Sequence, residues 1–131
     1  MIETARAVPV IINATMNECT REQYEAGVTL EVREDIIRPL LQFEAPPNHI
    51  ELVERAHKIA YEIEKVHIDA CEDNFTDPAT ELCTAMIGGP EYLMGPLERV
   101  LIEKGIAFCY DFSLWRWTDS GVVKERIGFV E

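Results

Sequence analysis

Short apolar runs alternate along this chain with longer amphipathic stretches. Ala7–Ala14 (AVPVIINA) is apolar, rich in β-branched residues and bounded by Thr15 and Asn17. That pattern predicts a buried strand, with Pro9 near its start, where a missing N–H breaks no ladder. In Thr20-Arg21-Glu22-Gln23 the Thr and Gln are spaced as a capping box. A short helix therefore begins there, and Gly27 closes it at C′. Val28–Val32 predicts a weaker extended segment. Across Asp35–Phe43, Ile36, Ile37, Leu40, Leu41 and Phe43 form a helical stripe. Pro39 inside that stripe is expected to start or kink the final turn, and Pro46-Pro47 is a stiff connector after it.

Asn48 with Glu51 marks another helix start. Beyond it, Ile50, Val53, Ala56, Ala60 and Ile63 share one face, with Ile59 and Val66 beside it, while Glu51, Glu54, Arg55, Lys58, Glu62 and Lys65 lie outside. His57 borders the apolar face, the place of a packing histidine. Cys71–Glu81 (CEDNFTDPATE) is acidic and turn-rich, which predicts a loop; calcium-loop spacing is absent. Leu82–Ile87 predicts a buried strand running into Gly88-Gly89-Pro90. Pro90 opens a helix carrying Leu93, Met94, Leu97, Val100 and Leu101, with a kink expected at Gly95-Pro96 and Gly105 at C′. Ile106–Phe112 predicts a third strand, Thr118–Gly121 a turn, and Val122–Val130 a last strand pairing back as an antiparallel hairpin.

Strand and helix alternating in this way predict an α/β fold: one domain over residues 1–131, a Rossmann-like open sheet, mostly parallel, with helices on both faces. A chain of 131 residues is long enough to bury a core without disulfides or metal. The net charge of −12 leaves no basic face for long nucleic acid or an anionic membrane. No apolar stretch is long enough to span a bilayer. Cys19, Cys71, Cys83 and Cys109 form no C-x-x-C pair, and His49, His57 and His67 form no ligand set with them. No metal, no cofactor and a reducing cytoplasm are therefore expected.

In open α/β sheets ligands bind beyond the carboxyl ends of the parallel strands. Those ends carry Asn13, Thr15 and Asn17; Gly88 and Gly89; and Asp111, Ser113, Trp115 and Arg116. Gly88-Gly89 lets a ligand approach the backbone at a helix start, where N–H groups suit phosphate. A plain strand–helix turn explains the same glycines, and Pro90 removes one donor. Tyr92, Trp115 and Trp117 are of the type that stacks on a base, although packing is the commoner fate of such rings. Asp111 offers a base if buried, while Ser113 has no evident His partner and G-x-S-x-G is absent.

Ile12-Asn13-Ala14-Thr15, Thr20–Val28, Ala85–Pro90, Leu93–Glu98, Tyr110–Ser113 and Ile127–Glu131 together resemble a family of small bacterial and phage proteins. Those proteins are similar in turn to CRISPR-associated Rossmann-like proteins that degrade cyclic oligoadenylate. The resemblance runs from Val8 onward and implies a small signalling nucleotide as ligand. Met16-Asn17 stands where a His is expected, Asp111-Phe112-Ser113 replaces Ala-Phe-Ser, and Arg126-Ile127 replaces His-Val. The missing histidines count against cleavage more than against binding. The expected ligand-contacting set is Asn13, Thr15, Asn17, Gly88, Gly89, Tyr92, Asp111, Ser113, Trp115, Arg116 and Arg126, with no catalytic residue assigned. The expected function is to bind, and in one version cleave, a small signalling nucleotide. The alternatives are a non-catalytic module that sequesters a ligand or a partner protein in defence or anti-defence, and a homo-oligomeric subunit joined through the Trp115/Trp117 hairpin.

Overall fold

The computed structural model describes residues 10–118 and 121–130, with side chains as far as Asp111. Ala7–Pro9 of the first expected strand and Asp119-Ser120 of the expected turn lie outside them. The elements are β1 (Ile11–Ala14), α1 (Arg21–Glu25), β2 (Val28–Glu31), α2 (Glu34–Leu41), α3 (His49–Asp73), β3 (Thr84–Ile87), α4 (Glu91–Glu103), β4 (Ala107–Thr118) and β5 (Gly121–Val130). They build a mixed α/β fold around one sheet of order β2-β1-β3-β4-β5. β1 pairs in parallel with β2 and β3, and β3 with β4. β5 runs antiparallel to β4, from Tyr110 opposite Val130 to Thr118 opposite Gly121.

Strand residues alternate between faces, and the core divides accordingly. Ile12, Ala14, Ala85 and Ile87 pack with Ile37 and Leu41 of α2, Ala56, Ile59, Ala60 and Ile63 of α3, and Leu93, Leu97 and Leu101 of α4. The opposite face carries Ile11, Val28, Met86 and Cys109, with Cys19 packed against them. α1 follows Cys19 on that second side, so helices lie on both faces. β1 leads outward to β2 through α1; the chain then crosses back through α2 and α3 to β3, and through α4 to β4. Parallel crossovers that keep one hand must change face when the direction of travel reverses.

The capping box is present at α1: the Thr20 side chain accepts from Gln23 N–H, and Gln23 Oε1 accepts from Thr20 N–H at 2.8 Å. Gly27 follows at φ +118°. α2 runs through Pro39 without a break and ends at Leu41. Its end is held from another helix. Arg55 of α3 points one guanidinium nitrogen, Nη1, at the carbonyls of Pro39, Leu40 and Gln42, at 3.0, 3.0 and 2.8 Å. The same guanidinium stacks 4.3 Å from the Phe43 ring centroid. A cation at a helix C-terminus answers both the unpaired carbonyls and the dipole. Arg55→Ala is expected to cost about 2 kcal/mol, the scale of hydrogen bonds to a charged group, read as a lower urea midpoint. Arg55→Lys is expected to recover less than half of that, because ammonium cannot stack flat on Phe43.

α3 departs from expectation at both ends. Ile50, placed by its spacing on the apolar face, is 68 % exposed, because the first turn overhangs the core; the buried stripe is Ala56, Ile59, Ala60 and Ile63. His57 is exposed rather than packed. At the other end Cys71–Asp73, expected in a loop, are the last helical residues. The helix closes through a Schellman pattern in which Thr76 N–H reaches Cys71 O (2.9 Å) and Phe75 N–H reaches Glu72 O (3.2 Å). The left-handed C′ residue is Phe75, at φ 57°. No glycine signals this stop. Among the described residues no helix is long and apolar enough to cross a membrane.

Candidate functional site

The strand order has one reversal. From β1 the chain turns outward to β2, and from β3 it turns the other way to β4. Connections leaving the carboxyl ends of β1 and β3 therefore diverge to opposite faces, and in open α/β sheets ligands bind at such a point. The candidate site lies between the loop after β1, residues 15–20, and the turn Gly88-Gly89-Pro90.

The first wall is organised by its own side chains. Asn13 and Thr15, at 4 % and 6 % exposure, are the buried polar residues of β1 and the loop it enters. Asn13 Oδ1 accepts the Thr15 N–H at 2.9 Å and the Thr15 hydroxyl at 2.7 Å. Asn13 Nδ2 donates to Asn17 O at 2.8 Å, and Asn17 N–H donates to Thr15 Oγ1 at 3.2 Å. Short polar side chains bonding to backbone two to four residues away hold such turns in shape. These bonds engage both polar groups of the Asn13 amide, so Asn13 and Thr15 set the loop geometry from beneath.

The second wall meets the first directly. Ala14 is in register with Ile87, which brings Thr15 beside Gly88. A Cβ on Gly88 would stand 3.4 Å from Thr15 Cγ2. Gly89 has φ +156°, and a Cβ there would stand 3.2 Å from Leu41 Cδ2 and 3.4 Å from Met94 Cε. The two glycines thus differ: Gly88 leaves room at the crevice, and Gly89 satisfies backbone and packing. α4 begins at Glu91 with Pro90 as its N-cap, a residue with no side-chain acceptor to close the first turn.

Asp111 lies two residues beyond Cys109, on the face that carries α1. It accepts from Gln23 Nε2 at 2.9 Å and from Asn17 Nδ2 at 3.4 Å. Gln23 is fully buried. One side chain therefore joins the start of α1 (through Oε1) to β4 (through Nε2). Asp111, expected among the ligand-contacting residues, is engaged as the acceptor that fastens α1 and the β1 loop onto the sheet. Sequence reasoning found Gln23 as a cap and missed this second role, since nothing local marks a contact 88 positions away.

Tyr92 does not join this network. It is half exposed and makes an edge contact with Phe43, ring centroids 5.6 Å apart, in an open groove with Pro46, Pro47 and Leu52. Ser113, Trp115, Arg116 and Arg126 have side chains outside the described residues. Their backbone places Ser113 opposite Arg126, Trp115 opposite Lys124 and Arg116 opposite Val123. The structure thus brings together Asn13, Thr15, Asn17, Gly88 and Asp111 and sets Tyr92 apart.

Tyr110 neighbours Asp111 on the other face, where its hydroxyl donates to Glu98 of α4. Burial first, and then that carboxylate, raise the Tyr110 phenol well above its ordinary value. Among the described residues no three His, Cys, Asp or Glu side chains stand close enough together to hold a metal ion. No family model, curated protein or solved structure matches this chain.

Proposed function

We propose that the chain is a Rossmann-like domain that binds a small phosphorylated ligand of the nucleotide class, and does not cleave it, in the crevice between β1 and β3. The observation that carries this reading is the meeting of Thr15 with Gly88 at the sheet's reversal, ahead of an α4 whose first turn no N-cap side chain closes. Backbone N–H groups at such a start and a positive dipole end favour a phosphate without net positive charge. That suits a chain of net charge −12. The resemblance of short sequence motifs to proteins that degrade nucleotides is in keeping with the same ligand class. Binding is favoured over cleavage because Asp111 is bonded to Gln23 and Asn17, and the histidines expected from the resemblance are missing here.

The test is a thermal-shift screen with mononucleotides and with cyclic di- and oligonucleotides, followed by chromatography of each mixture. A ligand at a hundred times its dissociation constant adds about 2.7 kcal/mol, or several degrees at this size. The expected result is a shift with the ligand recovered intact, abolished by Gly88→Val. A consumed ligand would make the protein an enzyme. No shift with any nucleotide would end the nucleotide reading.

A second reading has its own observation. Past Tyr110, β4 leaves β3 and continues to Thr118 paired with β5. Such a two-stranded arm is about 25 Å long at the usual rise; α1 packs against β5, and a ribbon without further support is marginal in water. A second copy of the chain or a partner protein packed on the arm would relieve this, in keeping with a homo-oligomer or interaction module. Light scattering coupled to size exclusion reads the oligomer directly.

A further inference from the structure

α3 has two sides. Ala56, Ile59, Ala60, Ile63 and Cys71 bury one of them. The other faces solvent, and large apolar side chains recur along it: Ile50, Tyr61 and Ile68 are 68, 58 and 41 % exposed. At about 100° per residue, the steps from Ile50 to Tyr61 and from Tyr61 to Ile68 each return to within about 20° of one line. Glu54, His57, Lys65 and Glu72 are exposed as well and fall along the same line, so that it is filled at steps of three and four residues. Such spacing is the seam by which a helix packs on another helix. Single exposed apolar residues are ordinary, but three on one seam are not needed by the fold, whose core uses the other side.

The charges on the seam say what covers it. Laid antiparallel on a second copy, about a two-fold axis at the level of Ile59, the seam is complementary to itself. Ile50 meets Ile68 of the second copy, Glu54 meets Lys65, and His57 meets Tyr61, each of them twice. A parallel pair in register would set Glu54 on Glu54 and Lys65 on Lys65 instead. Among the described residues neither Glu54 nor Lys65 enters an ion pair. Lys65 Nζ lies 5.7 Å from the Tyr61 ring centroid, which holds its charge over the seam. Lys58, the cation nearest the axis, has Glu54 and Glu62 one turn to either side.

We propose that the outer seam of α3 docks a second copy of this chain, with the two α3 helices antiparallel and Glu54 of each paired with Lys65 of the other. The contact from Ile50 to Ile68 is about 27 Å long at the helical rise. One helix pair of that length is small against the roughly 1,200 Å² at which standard interfaces begin. The net charge of −12 on each copy also opposes association. The dimer is therefore a weak one, with a dissociation constant of about 10 μM or above. Its apolar contacts supply affinity, and the two charge pairs fix its register. This surface is independent of the β4–β5 arm and of the crevice between β1 and β3.

The test is sedimentation velocity of the full chain at about 0.15 M salt, over concentrations from about 5 to about 500 μM, which bracket so weak an interface. A monomer–dimer equilibrium is expected. Glu54→Lys alone, or Lys65→Glu alone, makes like charges meet twice and raises the dissociation constant about tenfold or more. Both reversals in one chain restore it. Within one copy the two positions stand about 16 Å apart along the helix, so restoration comes only from pairing between copies. Both side chains are exposed, and the melting curve of the diluted monomer is expected to be unchanged. A chain that stays monomeric throughout the range overturns the proposal. So does a dimer indifferent to the single reversals, which would assign association to another surface such as the arm, and so does a double variant no tighter than the single ones.

Discussion

Gly89→Ala is expected to lower stability by about 3 kcal/mol, whereas Gly88→Ala costs under about 1 kcal/mol. The contrast follows from the backbone. Gly89 sits at φ +156°, and an L residue held in a sparsely populated region costs on the order of 1–3 kcal/mol. Its new Cβ also meets Leu41 Cδ2 at 3.2 Å and Met94 Cε at 3.4 Å. Both side chains belong to the packed core, Leu41 at 1 % and Met94 at 8 % exposure, so they yield only by disturbing α2 or α4; overpacking adds about 1 kcal/mol or more. Gly88 has no positive φ, and its added Cβ would stand at ordinary contact distance from Thr15. Thermal melts of the two variants should therefore differ by roughly 10 °C, taking a few degrees per kcal/mol at this size. Equal melts would mean that Gly89 is not held as described. Ligand response is expected to divide in the reverse sense, with the folded Gly88 variant impaired.

That contrast bears on what a reader of the sequence can recover. Gly88-Gly89 is legible as a strand–helix turn with room for a ligand, but the pair reads as one feature. Only a backbone angle and the neighbours Met94 and Leu41, the latter some fifty positions away, assign the two glycines different work. Periodicity recovered β1, β2, β3, α2 and α4 to within a few residues, because a buried strand must be apolar and an amphipathic helix must repeat. It failed where a helix end carries no residue-type signal. α3 continues to Asp73 and stops at Phe75, since Thr76 and Phe75 N–H groups satisfy its last carbonyls without a glycine. α2 ends cleanly because Arg55 reaches over from another helix. In the crevice, Asn13, Thr15, Asn17 and Asp111 were legible as polar residues at strand ends, which core strands rarely carry. Their bonding was not, because which polar atom meets which depends on the register of β1, β3 and β4.

Asp111→Ala is expected to destabilise the protein by about 2–3 kcal/mol and to loosen the loop after β1. Gln23 is fully buried, and its Nε2 donates to Asp111 Oδ1 at 2.9 Å. Removing that acceptor takes a hydrogen bond away from a buried amide, at about 1–3 kcal/mol. The charged bond itself is of the stronger kind, and Asn17 Nδ2 loses its contact to the same carboxylate. Asp111→Asn separates charge from shape. The amide oxygen can still accept from Gln23, so most of the stability should return if fastening is the role of Asp111. If the carboxylate were instead a base, Asp111→Asn would be as inactive as Asp111→Ala against any consumed ligand while remaining fully stable. Hydrogen exchange reads the mechanical half of the argument. In Asp111→Ala, amides of the loop and of α1 should exchange at least tenfold faster, while Ala85–Ile87 of the central strand remain protected. Equal acceleration in β3 would show that Asp111 supports the sheet as a whole. Acceleration confined to the loop and α1 would show that one carboxylate on β4 sets the shape of one wall of the crevice from the far side of Gln23.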